Sequence, residues 1–491
     1  MIKIGNEVLR KQKNFWNHCL FHPTDAVEDS WGKRILDRMA ADGSIKTVRI
    51  YAMLEDIVYL DENDELCYDF RVSDLRLDYL VEKGYDVLIA YAGMPECIAS
   101  DPLVFNVDNK GAKRYKGKVF NTSPPKDYAL YEEICYQYTK HNVERYGIET
   151  VSKWRCHCHN EPDGHFFMNY LAEDDQEPRI REYTKLYAAF ARGVSRVSEE
   201  IKIGGPACAF ELGFIEKFLN NVRQQNLKLD YIALHNYGTT TAEVNAGTRP
   251  ITVENNLWRQ RNLIALIEKC GFGDKERIVD EWGAATDGYF NIEECPAYIF
   301  RETEVYSAYY AKLIHQMLRV DPQVSKMMIC LSGQHEMVTD FSGFRNFFTL
   351  NFIKKPIYNA HILASKLGEN LLTAETENEN IFVVPTKNEK GDYAALMCYA
   401  SEYFTEDIPV IDETVTFAEE IKDKTVTVWC IDKNTTNPYR LAQKLGIETP
   451  TREQIKLLRE EGNLKPVLTQ KGDMPLILHF APNSTYLVTV T

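Results

Sequence analysis

No stretch of this chain comes near the ~20 consecutive apolar residues needed to cross a membrane. The opening run, Met1-Ile2-Lys3-Ile4-Gly5-Asn6-Glu7, has no apolar h-region of a secretory signal. Positive charge is in short supply: 57 Lys and Arg stand against 72 Asp and Glu, a net charge of −15. Nucleic acid and anionic membrane are therefore not expected partners, because phosphate binding needs a basic face. Internal repeats and low-complexity linkers are also absent. Cysteine is not scarce, at 12 residues, but the close repeated spacings of a disulfide framework are missing. A chain of this size has no need of such staples. Free thiols in a reducing, cytoplasmic setting are the expectation.

What is present is alternation. With 491 residues the chain fits one large domain plus a smaller one. Strand-like runs at 15–20, 47–54, 86–94, 151–160, 202–208, 231–237, 277–282 and 327–331 alternate with helical patterns at 30–41, 128–146, 179–199, 211–225, 253–269 and 303–318. Repeated βα units of this kind predict an α/β fold, a (β/α)8 (TIM) barrel over residues 15–368, closed by a helix at 353–367. Beyond Gly368 the pattern changes to short β-type runs at 381–385, 393–399, 414–417, 425–431, 476–480 and 486–490. Those runs predict a β-sandwich accessory domain over residues 369–491, interrupted by a helical insert near 437–463. Residues 1–14 read as a strand and connector that pack on the accessory domain. The missing linker implies that the two domains pack tightly.

Two stretches carry candidate chemistry. Trp154-Arg155-Cys156-His157-Cys158-His159-Asn160-Glu161-Pro162 is a strand that stops at Pro162 with a carboxylate at its exit. Arg277-Ile278-Val279-Asp280-Glu281-Trp282-Gly283 is a second. C-terminal strand ends face the active site of a barrel, and two carboxylates from different strands are the apparatus for cleaving a glycosidic bond. Glu161 would be the acid, its pKa raised by burial or by the second carboxylate. Glu281 would be the ionised nucleophile. Asp280 competes with it in sequence, but strand alternation places Asp280 on the opposite face. In Leu234-His235-Asn236-Tyr237, His235 and Tyr237 share a face, and the Tyr237 hydroxyl is placed to donate to Glu281. Taken alone, Asn160-Glu161-Pro162 reads better as a turn, and His235 and Tyr237 as residues of a wet strand end. Their joint placement on the fourth, sixth and seventh strands is what favours chemistry. Cys156-His157-Cys158-His159 alternates between faces and cannot close a tetrahedron, so no metal is expected.

These residues resemble glycoside hydrolase family 39, the β-xylosidase and α-L-iduronidase family, along nearly the whole chain. Further stretches carry the likeness: 46–54, Pro124-Pro125-Lys126-Asp127-Tyr128, Glu144-Arg145-Tyr146-Gly147, 353–368, and 432–454, the last in the accessory region where no chemistry is expected. By that resemblance Glu161 is the acid/base and Glu281 the nucleophile, while Asn160, His235 and Tyr237 contact substrate or nucleophile. Tyr51, Trp282 and Gln334 are further candidates for substrate contact. The chain departs from the family in three places. Cys158-His159 precedes Asn160-Glu161-Pro162 where the family has Trp. Arg49-Ile50-Tyr51 ends in Tyr where the family has His, so Tyr51 is expected to reshape the subsite of the cleaved sugar. The eighth strand, running into Ser332-Gly333-Gln334-His335-Glu336, lacks the usual sugar-stacking Trp.

The expectation is a retaining, β-xylosidase-like hydrolase of a neutral-sugar glycoside, needing no cofactor. A neutral sugar is favoured because no basic residue stands near His235 and Tyr237 to meet a uronate, and a buried unpaired carboxylate is costly. An arabinoside, galactoside, glucoside or iduronide, and a non-catalytic sugar-binding barrel, remain as alternatives. The accessory domain offers a contact surface for a homo-oligomer.

Overall fold

Eight parallel strands close into a barrel in chain order in the computed structural model, which describes residues 1–21, 27–105, 120–164, 166–172 and 175–491. They are His18–Phe21, Thr47–Tyr51, Asp86–Tyr91, Arg155–Cys158, Lys202–Cys208, Tyr231–Tyr237, Glu276–Gly283 and Val324–Leu331. The last pairs with the first, Met328 opposite His18, so no edge is left open. All eight runs read as strands from the sequence lie in this barrel. Strand alternation sorts their side chains. Leu20, Leu88, Ala90, Ala233, Ile278 and Met328 fill the interior, while the opposite residues pack on the surrounding helices. Along the sixth strand the inward positions change from Tyr231 and Ala233 below to His235 and Tyr237 at the C-terminal end. On this strand the inward positions thus turn polar toward the C-terminal exit.

The helices follow their local signals. Asp29 accepts a hydrogen bond from the Gly32 amide and starts the helix Ser30–Asp42, and Gly43, at φ 61°, ends it. The helix Arg71–Glu82 was not legible in the sequence, because it has no side-chain cap and a mixed apolar pattern.

The C-terminal region is sheet-rich: nine strands in one hydrogen-bonded order. Strands near opposite ends of that order, Thr425–Ile431 and Leu476–Phe480, share one apolar core containing Val428, Tyr393, Leu478 and Phe480, so the sheet folds over itself as a sandwich. Two of its strands, Asn370–Thr376 and Pro466–Lys471, escaped the sequence reading; the second is mostly exposed and lacks alternation. The N-terminal strand Ile2–Lys11 lies within this sheet, antiparallel to Asn370–Thr376 and parallel to Ile411–Phe417. Two short helices, Pro438–Lys444 and Arg452–Glu461, interrupt it, the second opened by a capping box of Thr451 and Gln454. They also tie the sheet to the barrel: Asn437 and Arg440 donate to the buried Glu304 at 2.8 and 2.7 Å.

One buried ion pair braces the barrel mouth. Lys355 Nζ lies 2.6 Å from Glu302 Oε1 and donates to the Phe344 carbonyl, and the Gly343 amide donates to the same carboxylate. Both side chains are fully buried. Lys355→Met is expected to lower the unfolding free energy by ~3–5 kcal/mol, because it strands a buried carboxylate. Urea unfolding of the two proteins measures the difference.

Candidate active site

The fourth strand ends in two left-handed residues, His159 at φ 61° and Glu161 at φ 46°. Such conformations cost non-glycine residues about 1–3 kcal/mol each and persist only when their surroundings impose them. Here the His159 amide donates to the Tyr91 carbonyl at 2.9 Å, and the Glu161 amide to the Ala207 carbonyl at 3.0 Å, pinning the strand tip to both neighbours. The twist breaks alternation, so Asn160 and Glu161 both line the same cavity. Two residues on, Asp163 accepts the amides of Ala209, Phe210 and Glu211, each at 2.9 Å, and locks this turn to the end of the fifth strand.

The seventh strand holds a correction. Val279 pairs with Leu234, but Glu281 pairs with His235, so Asp280 is an extra residue. This β-bulge cancels the alternation expected there. Asp280 and Glu281 both point into the barrel, Asp280 fully buried and Glu281 5% exposed. Alternation resumes afterwards, and Trp282 faces outward. Its ring stacks on Tyr310 at 5.7 Å, fully buried in the helix layer and away from the cavity. Gln334, three residues past the eighth strand, is likewise buried outside the cavity lining. His235 lies beneath the floor at 0% exposure and reaches the site only through Glu161 and its charge.

Around Glu281 the donors converge. Arg49 Nη1 and the Tyr51 hydroxyl donate to Oε1 at 2.7 and 2.9 Å, and the Tyr237 hydroxyl donates to Oε2 at 2.6 Å. Burial alone would raise the Glu281 pKa. The charges of His235 and Arg49, with the hydrogen bonds from Tyr237 and Arg49, outweigh it and hold the carboxyl well below the usual carboxylate range. Glu161 is shifted the other way. Burial raises its pKa against the hydrogen bond and charge of His235, whose Nδ1 lies 2.9 Å from Oε1. His235 is itself held up to about 10, because Glu281 and Asp280 overcome its burial. One carboxyl is thus poised to carry a proton and the other to be ionised, a divergence that marks an acid and a nucleophile.

The cavity above them measures about 300 Å³. Tyr51, Asn160, Glu161, Tyr237 and Glu281 line it, with Phe120, Phe166 and Phe210 as apolar walls. The Asn160 oxygen is taken by Arg49 Nη2 at 2.7 Å, so its NH2 is the group turned to a ligand. Glu161, His235 and Glu281 place ligand atoms within 4.8 Å of one another, the spacing of a metal site. The charges oppose that use: a divalent ion would have to displace the His235 proton and sit beside the Arg49 guanidinium. Cys156 and Cys158 pack into the outer core while His157 faces inward, so that run does not converge on one point.

Sequence reasoning passed over Arg49, His157, Asp163 and Arg345. Arg345 overturns one expectation. A cation does stand beside Tyr237, delivered by the loop after the eighth strand. Its guanidinium lies 4.9 Å above the Tyr237 ring, donates to the Cys330 and Ala285 carbonyls, and lines the cavity. Gly283 lets it approach, since a Cβ there would stand 2.5 Å from Nη1.

The chain as a whole is similar to known proteins. A sequence model of glycosyl hydrolases family 39 matches residues 1–471. A β-xylosidase of Caldicellulosiruptor saccharolyticus is 23% identical over 98% of this chain and 96% of its own length. A β-xylosidase of Geobacillus stearothermophilus is 24% identical over 94% and 90%. The crystal structure of a monomeric β-xylosidase from Caulobacter crescentus CB15 superposes with a TM-score of 0.80 at 18% identity, covering 100% of this chain and 99% of that one.

Proposed function

The chain belongs to glycosyl hydrolases family 39, and from that premise we propose that this glycoside hydrolase works with retention, on β-xylosides or a closely similar neutral glycoside. The observation that carries the reading is the spacing of its two carboxyls. Oxygens of Glu161 and Glu281 approach within 4.8 Å. Retaining glycosidases hold their carboxyl groups about 5–5.5 Å apart, whereas inverting ones leave about 6.5–9.5 Å for a water. In this reading residues 15–368 are the catalytic unit, and 369–491, joined by 1–14, form the accessory domain.

Glu281 attacks the anomeric carbon while Glu161 protonates the departing oxygen. A covalent glycosyl-enzyme results, and Glu161, now a carboxylate, takes a proton from the water that hydrolyses it. The Asn160 NH2 donates to the sugar 2-hydroxyl, a contact that strengthens in the transition state. Arg49, Tyr51 and Tyr237 orient Glu281 before attack. A panel of aryl xylosides, arabinosides, glucosides and galactosides, with the first-formed anomer read by NMR, tests both sugar and stereochemistry. An inverted first product would remove the double displacement.

One observation favours a second reading, an acidic sugar such as an iduronide. No carboxylate pairs with Arg345 among the described residues, and a buried unpaired cation is costly. Adding aryl uronides to the panel decides between the two.

The pH dependence follows from the shifts. Activity rises with pH as Glu281 ionises, far to the acid side, and falls as Glu161 loses its proton at a raised pKa. The His235 charge lowers both pKa values. His235→Gln is therefore expected to move both limbs of the kcat/KM profile to higher pH, readable with any aryl substrate that the protein cleaves.

A further inference from the structure

The bulge in the seventh strand buries a carboxylate that the reaction as written does not use. Asp280 is fully buried and does not line the cavity. Its Oδ2 lies 3.2 Å from Arg49 Nη2, 3.3 Å from His157 Nε2 and 3.7 Å from His235 Nε2. Neither carboxylate oxygen takes a well-formed hydrogen bond, so charge is what holds it. Buried ion clusters of this kind seldom add net stability, which points to a role in the chemistry.

The groups facing it can be counted. His157 Nε2 accepts from Arg49 at 3.1 and 3.2 Å, so that nitrogen carries no proton to offer Asp280. Burial and the Arg49 charge hold His157 down to about 3, a neutral ring. The hydroxyls of Tyr183 and Tyr231 lie in the same field and are kept neutral by burial. That leaves two cations, Arg49 and the His235 imidazolium, facing two anions, Asp280 and Glu281, beneath a protonated Glu161. Esterification of Glu281 removes one anion. Asp280 is then the only carboxylate within ion-pair reach of Arg49 among the described residues.

We propose that Asp280 is a positioning residue, the standing counter-ion of the site, which keeps the proton on His235 while Glu281 is esterified. Glu161 thereby stays a carboxylate, able to take a proton from water. This rests on the double-displacement reading above. Without the Asp280 charge, the imidazolium beside Glu161 at 2.9 Å gives up its proton. The Nδ1–H bond breaks, an O–H bond forms on Glu161, and a neutral imidazole faces a neutral carboxylic acid. The second step then lacks its base, while the first step still has its acid.

The test is Asp280→Asn, nearly isosteric, assayed with a 2,4-dinitrophenyl glycoside that the wild type cleaves. The expected result is a burst of one phenolate per enzyme followed by a slow steady state. kcat should fall about 10²-fold, the scale of a lost general base, with far less change in the first turnover. The rise of kcat with pH should also move to higher pH. Equal losses in both steps, or an unchanged kcat and pH profile, would overturn the role. Nitrogen-15 NMR of His235 in the wild-type intermediate, trapped with a 2-deoxy-2-fluoro glycoside, decides independently of how the variant folds. An imidazolium at neutral pH is expected, and a neutral ring overturns the proposal. A wild type that hydrolyses glycosides without any covalent intermediate overturns the double displacement itself, and with it this role.

Discussion

Glu281→Gly is expected to lower kcat/KM by ~10⁴–10⁶-fold, the scale at which removal of an enzyme nucleophile is felt. The loss comes from chemistry and not from unfolding. Arg49, which donates to Glu281 at 2.7 Å, keeps Asp280 at 3.2 Å as a buried partner, so no cation is stranded. The Tyr51 and Tyr237 hydroxyls would be left around a space the size of a carboxylate. Azide can fill that space and attack the anomeric carbon from the nucleophile's side, so added azide should restore turnover and yield a glycosyl azide of inverted configuration. The assay is aryl alcohol release with and without azide, alongside the unfolding midpoint of both proteins. A variant with the wild-type rate would take Glu281 out of the mechanism.

Glu161→Ala should behave differently, and the difference is the diagnostic. A general acid contributes ~10²–10⁴-fold, but only where the leaving oxygen needs a proton. Alkyl glycosides and disaccharides should lose the full factor. Dinitrophenyl glycosides, whose phenolate leaves unassisted, should lose little in the first step and accumulate the glycosyl-enzyme. The alkaline fall in kcat/KM should vanish, because the group that titrates there, raised by burial, has gone. Azide should now return a product of retained configuration, since Glu281 still forms the ester. A loss that ignored the leaving group would assign Glu161 to binding instead.

How much of this was legible in the sequence depends on whether regular geometry held. Tyr231–Tyr237 and Thr425–Ile431 are strands whose apolar runs end at turn formers, Gly238 and Asp432, and their bounds are readable in the sequence. Glu161 and Glu281 were readable because each closes such a run. The inward position of Asp280 is not legible, because a bulge adds a residue where alternation would turn it outward, and pairing register belongs to two strands at once. Trp282 adjoins the nucleophile in sequence, yet it sits one pleat away on the outer face. Arg49 was in view as part of Arg49-Ile50-Tyr51, but its partners Asn160, Asp280 and Glu281 come from two other strands, and only closure of the barrel brings them together. Arg345 belongs to a loop with no periodicity to read, and its approach depends on Gly283, far away in the chain.

The placement of Ile2–Lys11 bears on how the protein comes into being. Its neighbours, Asn370–Thr376 and Ile411–Phe417, leave the ribosome hundreds of residues later. This strand is thus obliged to wait, without its sheet partners, while an entire barrel is translated behind it. Contacts of such separation are slow to form, and a bare strand is vulnerable to intermolecular pairing in the interval. Production yield should therefore respond more sharply to changes within Ile2–Lys11 than its distance from the cavity would lead one to expect.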